Sequence, residues 1–322
     1  MRAHQVSAPG GPEALMMVEL LDPEPREGWV KIRVRAFGLN RSEMYTRQGH
    51  SGDDAPFPRV LGIECVGEVL DAGRTDLVPG QTVCAVMGGL GRRYDGGYAE
   101  MTLAPRSQVM PIETSLPWDV LGALPETWFT AWLAVFDVLQ AEPGQRILVR
   151  GGTSAAGMAA TSILKHLGVH VIATTRSEKK RPALVEAGVD DVVIDAGTIA
   201  SQVRELFPDG VDGVLELVGS VAAVADSIEA IRDGGRICHV GLLANEWGKA
   251  MPEMPRGITY EFGDSDTLNA EGWTPIWEKI VAGVETGHYR PNIFKVFAFE
   301  DVVEAHRMME ESRAAGKLVV VT

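Results

Sequence analysis

The sequence predicts an α/β protein in which a doubly wound parallel sheet accompanies a β-rich, barrel-like domain. Two observations carry this. From about residue 146 to 262, short β-branched runs alternate with helical patterns of about ten residues, the texture of successive βαβ units. Up to about residue 118 the β-branched runs instead follow one another with only turn signals between them. The 322 residues suffice for about two domains, each able to bury its own core without disulfides or a structural metal.

In the first part, strands are expected at 29–36, 65–71 and 82–87, separated by Pro79-Gly80, Gly88-Gly89 and Gly96-Gly97. An apolar helical stretch at 120–139 then leads to a strand at 146–150, a glycine-rich turn and a helix at 156–167. Further strands are expected at 170–175, 192–195, 213–217, 236–240 and 258–262, with helices at 178–187, 199–207 and 221–231 between them. The remainder alternates differently: helix 275–285, strand 295–298, helix 300–312 and strand 317–321. It is assigned to closing the first domain.

Composition narrows the function classes. With 45% hydrophobic and 23% charged residues the chain is neither disordered nor fibrous. Its formal charge of −14, without a long basic run, disfavours nucleic acid and anionic lipid as partners. Cys65, Cys84 and Cys238 form no CxxC pair, which fits a reducing, cytoplasmic setting. No apolar leader follows Met1, and the most apolar segment, 128–138, is too short to span a bilayer, so no membrane association is expected.

The chemistry concentrates after the strand at 146–150. Gly151-Gly152-Thr153-Ser154-Ala155-Ala156-Gly157 departs from GxGxxG spacing but keeps its physics. Small residues let a backbone approach a pyrophosphate, and the helix that follows offers free N–H groups and a positive dipole end. In dinucleotide folds the end of the second strand, about 20 residues on, reads the adenosine ribose, and NAD binders usually place a carboxylate there. Here the stretch is Thr174-Thr175-Arg176-Ser177-Glu178-Lys179-Lys180, in which no carboxylate ends the strand and Arg176, Ser177 and Lys180 could surround a 2′-phosphate. NADPH is therefore the preferred cofactor.

These residues, together with Gly10-Gly11-Pro12-Glu13, Phe37-Gly38-Leu39-Asn40, Leu61-Gly62-Ile63-Glu64, Val66-Gly67-Glu68-Val69, Gly96-Gly97-Tyr98-Ala99-Glu100 and Ala314-Ala315-Gly316-Lys317, give the chain its resemblance. It resembles the zinc-independent quinone oxidoreductase branch of the medium-chain dehydrogenase/reductase superfamily over nearly its whole length. The resemblance implies a GroES-like catalytic domain split around a Rossmann cofactor domain, with divisions at 1–121, 122–265 and 266–322, an active site in the cleft between them, and a homodimer formed through the cofactor domains. Where zinc-carrying members of the superfamily place ligands, this chain has Asn40, Ile63 and Glu126, so no metal is expected.

The resemblance also assigns roles. Tyr45 would donate to the substrate oxygen and Asn40 would hydrogen-bond the nicotinamide ribose or the substrate. Thr130 would lie near the nicotinamide, and Val240-Gly241-Leu242 beside it. Gly219 would allow close approach of the cofactor, and Lys317 would reach it from the last strand. Arg41 and Glu43 depart from the family's more apolar pattern, and Asp195 stands where a tyrosine often lies near the 2′-phosphate. Without a Lewis acid, an acceptor that is already electrophilic is the less demanding substrate, so the expectation is an NADPH-dependent reductase of quinones or α,β-unsaturated carbonyls. The alternatives are an enoyl-thioester reductase and a non-catalytic NADPH-binding structural or adaptor protein.

Overall fold

The computed structural model describes residues 1–246, 249–263 and 269–322. Along the chain, β1 (Arg2–Val6) and β2 (Leu15–Glu19) pair antiparallel, and β1 also takes β4 (Arg59–Val60), which gives a small sheet of order β2-β1-β4. The long strand β3 (Trp29–Gly38) runs into α1 (Arg41–Arg47). Then come β5 (Glu64–Asp71), β6 (Thr82–Val86), β7 (Met101–Pro105) and β8 (Val109–Pro111). β3 is buried at alternate positions, which is why its inward valines and isoleucine could be read as one face.

The stretch expected to be one helix over 120–139 is three pieces: α2 (Trp118–Leu121), α3 (Pro125–Trp132) and a wider π-helical run over Leu133–Val138. Gly122 packs where a Cβ would stand 2.7 Å from that of Ala36, so the chain bends against β3 there. Apolar periodicity alone does not report such a break.

From β9 (Arg146–Arg150) the chain enters a regular alternation of α4 (Ala155–Leu167), β10 (His170–Thr175), α5 (Arg181–Glu186), β11 (Asp191–Ile194), α6 (Ala200–Leu206), β12 (Val211–Glu216), α7 (Val221–Ala230), β13 (Ile231–His239) and β14 (Thr259–Phe262). The strands are all parallel, in the order β11-β10-β9-β12-β13-β14. In sequence terms this is 3-2-1-4-5-6, the Rossmann arrangement, whose direction of winding reverses between β9 and β12. Leu148, Ile172, Val193, Val214 and Ile237 from five strands pack with Ile199, Val203 and Ala230 in one buried cluster.

The last part holds α8 (Ala270–Glu285), β15 (Ile293–Ala298), α9 (Val302–Glu310) and β16 (Lys317–Val321). β16 pairs antiparallel with β3, so the larger sheet reads β15-β16-β3-β5-β6-β8 with β7 also on β3. The chain divides into two compact units. The first takes in Met1–Phe129, Ser265–Thr286 and Ile293–Thr322, the second Thr130–Asp264 and Gly287–Asn292. The domain boundary expected at 265/266 lies outside the described residues.

Candidate functional site

In the Rossmann unit, the glycine turn lies between β9 and α4. Gly151 has φ of 88°, a left-handed conformation that suits glycine. Its N–H donates to Thr174 Oγ1 at 3.0 Å, and the Gly152 N–H to the Thr174 carbonyl at 3.0 Å. A Cβ on Gly152 would stand 2.8 Å from that of Ala173, and one on Gly157 would stand 2.9 Å from the carbonyl oxygens of Gly151 and Gly152. The turn is thus pressed flat on β10 and α4. Ser154, expected among the cofactor contacts, is the N-cap of α4: its Oγ accepts from the Gly157 N–H at 3.1 Å and donates to the Gly151 carbonyl at 2.8 Å. Thr153 and the first-turn residues Ala155 and Ala156 are half-buried, and the helix has no internal partner for its first N–H groups. These features fit a pyrophosphate.

At the end of β10, Thr175 is buried and its Oγ1 accepts from the Ser177 N–H at 3.3 Å, which sets the turn. Arg176 is exposed, and Ser177 and Lys180 are half-buried. Two nearby carboxylates, Glu178 and Asp195, both have other partners. Glu178 is gripped by Arg181 Nε at 2.7 Å and Nη2 at 3.1 Å. Asp195 is held by Arg150, whose Nε donates to Oδ2 at 3.0 Å and Nη2 to Oδ1 at 3.3 Å.

On the other side of the winding reversal, buried Glu216 ends β12 in register with Arg150. It shapes the turn that follows: Oε1 accepts from the N–H groups of Val218 and Gly219 at 2.9 and 3.1 Å, and Oε2 from Ser227 Oγ at 2.7 Å. Gly219 has φ of 72°, and a Cβ there would collide with the Gly241 carbonyl. The Val240 and Gly241 N–H groups both point to the Glu216 carbonyl, at 3.1 and 3.3 Å, and a Cβ on Gly241 would meet the backbone of Leu217. Hence Gly219, Val240, Gly241 and Leu242 lie along adjoining strand ends. Thr130 is buried at the start of this unit.

In the first unit, α1 begins on a reciprocal cap. The Asn40 N–H donates to Glu43 Oε2 at 2.8 Å, and the Asn40 side chain accepts from the third helical N–H. The far end of α1 is fixed by buried Arg47, which donates to the Gly10 carbonyl and His306 Nδ1, each at 3.2 Å, and pairs with Glu310. Tyr45, one turn from the cap, is buried, with only 8% of it exposed. Burial raises its phenol pKa, against a smaller opposite effect of Arg41.

Lys317 is neither on the surface nor free for a cofactor. Its Nζ donates to Asn40 Oδ1 at 2.6 Å, Glu64 Oε1 at 2.7 Å and Thr127 Oγ1 at 2.7 Å, which uses all three ammonium protons. Asn40 Nδ2 donates to Glu64 Oε1 at 2.8 Å, and the Glu126 N–H donates to Glu64 Oε2 at 2.7 Å. Glu43 accepts from the Ile63 N–H at 3.1 Å. Its pKa is pushed up to about 7, first by burial and then by the charge of Glu64, with Lys317 opposing.

This donor set does not fit zinc. Ile63 offers only an apolar side chain, and the carboxylate beside it is already engaged by an ammonium. Among the described residues no three His, Cys, Asp or Glu side chains are grouped to hold a metal.

Arg150, Glu216, Glu64 and Thr127 were not anticipated. The first two left a signal, a charged residue closing each of two apolar runs, Ile147-Leu148-Val149 and Val214-Leu215. Glu64 stands in the Leu61-Gly62-Ile63-Glu64 motif, but nothing in the sequence joins it or Thr127 to Lys317, which is 253 and 190 residues away.

Comparison with known proteins agrees with this arrangement. Residues 26–114 match the alcohol dehydrogenase GroES-like domain and residues 187–320 the zinc-binding dehydrogenase domain. The chain belongs to the medium-chain dehydrogenase/reductase superfamily. Within it the similarity extends to the quinone oxidoreductases: that of Sus scrofa is 25% identical, with 100% of this chain and 98% of the relative covered. The polyketide synthase GfsB of Streptomyces halstedii is 29% identical over 91% of this chain, which spans 5% of the synthase's length. A solved structure of an NAD-dependent alcohol dehydrogenase is 29% identical, covers 100% of both chains and has a TM-score of 0.85.

Proposed function

We propose that the protein is an NADPH-dependent, zinc-free reductase that transfers hydride to a quinone or an α,β-unsaturated carbonyl. The observation that carries the reading is the polar cluster of the first unit, in which an ammonium, an amide and two buried carboxyls occupy the neighbourhood where zinc-carrying relatives place metal ligands. Such a cluster cannot polarise an alcohol oxygen as a dication does. It suits an acceptor that is already electrophilic and needs only hydrogen-bond donors as its oxygen gains charge.

When bound, the nicotinamide supplies the hydride. The Gly151–Gly157 turn and the α4 N-terminus would receive the dinucleotide's pyrophosphate. Arg176, Ser177 and Lys180 take the 2′-phosphate, since the carboxylates of Glu178 and Asp195 are both neutralised by other arginines. Tyr45, a protonated phenol whose pKa burial raises further, donates to the acceptor oxygen. Asn40 is held rigidly by Lys317, Glu64 and Glu43 and orients what it contacts.

A second reading, reduction of an enoyl thioester, is favoured by the similarity to polyketide synthases. Both acceptors are conjugated carbonyls. The test is NADPH and NADH oxidation followed with 1,4-benzoquinone, 9,10-phenanthrenequinone, an alkenal series and a short enoyl thioester. Turnover of quinone or alkenal with NADPH preferred is the expected result, and Arg176→Ala should raise the KM for NADPH by about 10 to 150 fold while leaving NADH nearly unaffected. Turnover of the thioester alone favours the second reading. Nucleotide binding without turnover of any acceptor overturns both.

A further inference from the structure

We propose that Arg150 determines cofactor specificity: by holding both oxygens of Asp195 it silences a carboxylate that would otherwise repel a 2′-phosphate beside Arg176. The inference rests on the reading of the β10 end as the adenosine-ribose seat and names the residue that permits phosphate there.

The geometry starts from strand register. Thr175 and Ile194 are partners across β10 and β11, and the Asp195 N–H donates to the Thr175 carbonyl at 2.9 Å. Asp195 therefore stands one step beyond the last pair, level with Arg176. A carboxylate at the end of this strand pair is well placed to accept from ribose hydroxyls and to disfavour a phosphate dianion. In this chain the carboxylate is turned inward. Arg150 grips it with Nε and Nη2, the Gly197 N–H donates to Oδ1 at 2.9 Å, and the two charged side chains are 1% and 9% exposed. A planar guanidinium makes this two-oxygen contact and keeps further N–H groups for other partners.

Arg150 is itself anchored so that it cannot swing away. Its Nη1 donates to the Ala223 carbonyl at 2.6 Å and pairs with Asp226 Oδ2 at 2.9 Å, while Nη2 also reaches the Gly197 carbonyl at 3.3 Å. Asp226 in turn accepts from the N–H groups of Ile199 and Ala200 at 2.8 and 3.2 Å, which ties it to the start of α6. The guanidinium thus has two jobs, bracing strand ends and neutralising Asp195. Only the second makes its loss selective for a phosphate.

The experiment is calorimetric binding of adenosine 2′,5′-bisphosphate and adenosine 5′-monophosphate to the full chain, read as the ratio of the two affinities. In Arg150→Met the ratio should fall by about tenfold, and in Arg150→Met/Asp195→Asn it should return to within about twofold of wild type. Asp195→Asn alone should change it by less than about threefold. Should Arg150→Met fail to fold by circular dichroism, Arg150→Gln with and without Asp195→Asn reads the same coupling, because the amide removes the cation while keeping hydrogen-bond donors. A ratio unchanged in the Arg150 variants, or lowered equally with and without Asp195, overturns the proposal. A ratio lowered by Arg176→Ala but not by any Arg150 change overturns it while leaving the phosphate seat standing. A wild-type ratio near one, unmoved by Arg176→Ala, overturns the seat and this proposal together.

Discussion

Tyr45 is a phenol, protonated at neutral pH, and burial raises its pKa further, which suits the proposed role of donor to an oxygen that gains charge in the reaction. Such a donor acts mainly in the transition state. Tyr45→Phe should therefore lower kcat more than it raises KM, by on the order of 2 to 4 kcal/mol of transition-state stabilisation. Steady-state kinetics with several acceptors measures this, and an unchanged kcat would return the ring to the role of core filler. Glu43 invites a different measurement. Its folded pKa of about 7 lies above the ordinary glutamate value of 4.5, so between these pH values the folded state holds a proton that the unfolded chain has released. Its contribution to stability is full below about pH 4.5 and is lost as pH rises through 7, a swing of about 3 kcal/mol at ~1.36 kcal/mol per pH unit. Denaturant titrations of wild type and Glu43→Gln at pH 5 and pH 8 should show the gap between the two proteins change by that order as pH rises. Parallel curves would mean that Glu43 is ionised throughout.

At the scale of elements, α4 shows how a local sequence signal becomes a binding feature. Ser154 caps the helix through its Oγ, and Gly157 lets the first turn pack so close to the glycine turn that a Cβ there would stand 2.9 Å from two of its carbonyl oxygens. Ser154→Ala should cost about 1 kcal/mol of stability, and Gly157→Ala, whose Cβ would press on two backbone carbonyl oxygens, should cost more stability and weaken nucleotide binding as well. Thermal melts and nucleotide titration separate the two, and equal effects on both would argue against a dedicated phosphate turn. The strands at 146–150, 170–175 and 317–321 were legible to the residue because β-branched runs end there at glycine or charge. Helix α8 was not. The reading took Pro275 as a helix start, but the helix begins at Ala270, where Asn269 Oδ1 accepts from the Gly272 N–H at 3.0 Å and Pro275 sits inside. Proline costs an internal helix one hydrogen bond, and the buried Trp277, Ile280 and Val281 offset it through packing.

At the scale of the whole molecule, the donor set of the first unit leads to a compositional prediction. Purified protein should contain no stoichiometric zinc and should keep its activity under strong chelation, because Ile63 cannot ligate and Glu64 is engaged by Lys317. Elemental analysis showing about one zinc per chain, lost together with activity, would refute this. The larger sheet explains why the cluster exists at all. β16 returns from the end of the chain to pair with β3, Val319 opposite Gly38, and this register carries Lys317 to the start of α1.

The sequence by itself determined the parallel sheet, because its βαβ alternation depends only on neighbours along the chain, and it marked the glycine turn and the basic end of β10 for the same reason. It could name Asn40 and Lys317 but not join them, since they lie 277 residues apart and meet only through the pairing of the last strand with the third. It could see Asp195 near a basic turn but not that Arg150, 45 residues earlier, grips its carboxylate. Tertiary structure decided those partnerships because burial makes an unpaired charge costly, so each buried ion had to find its counterion wherever the strand order placed one.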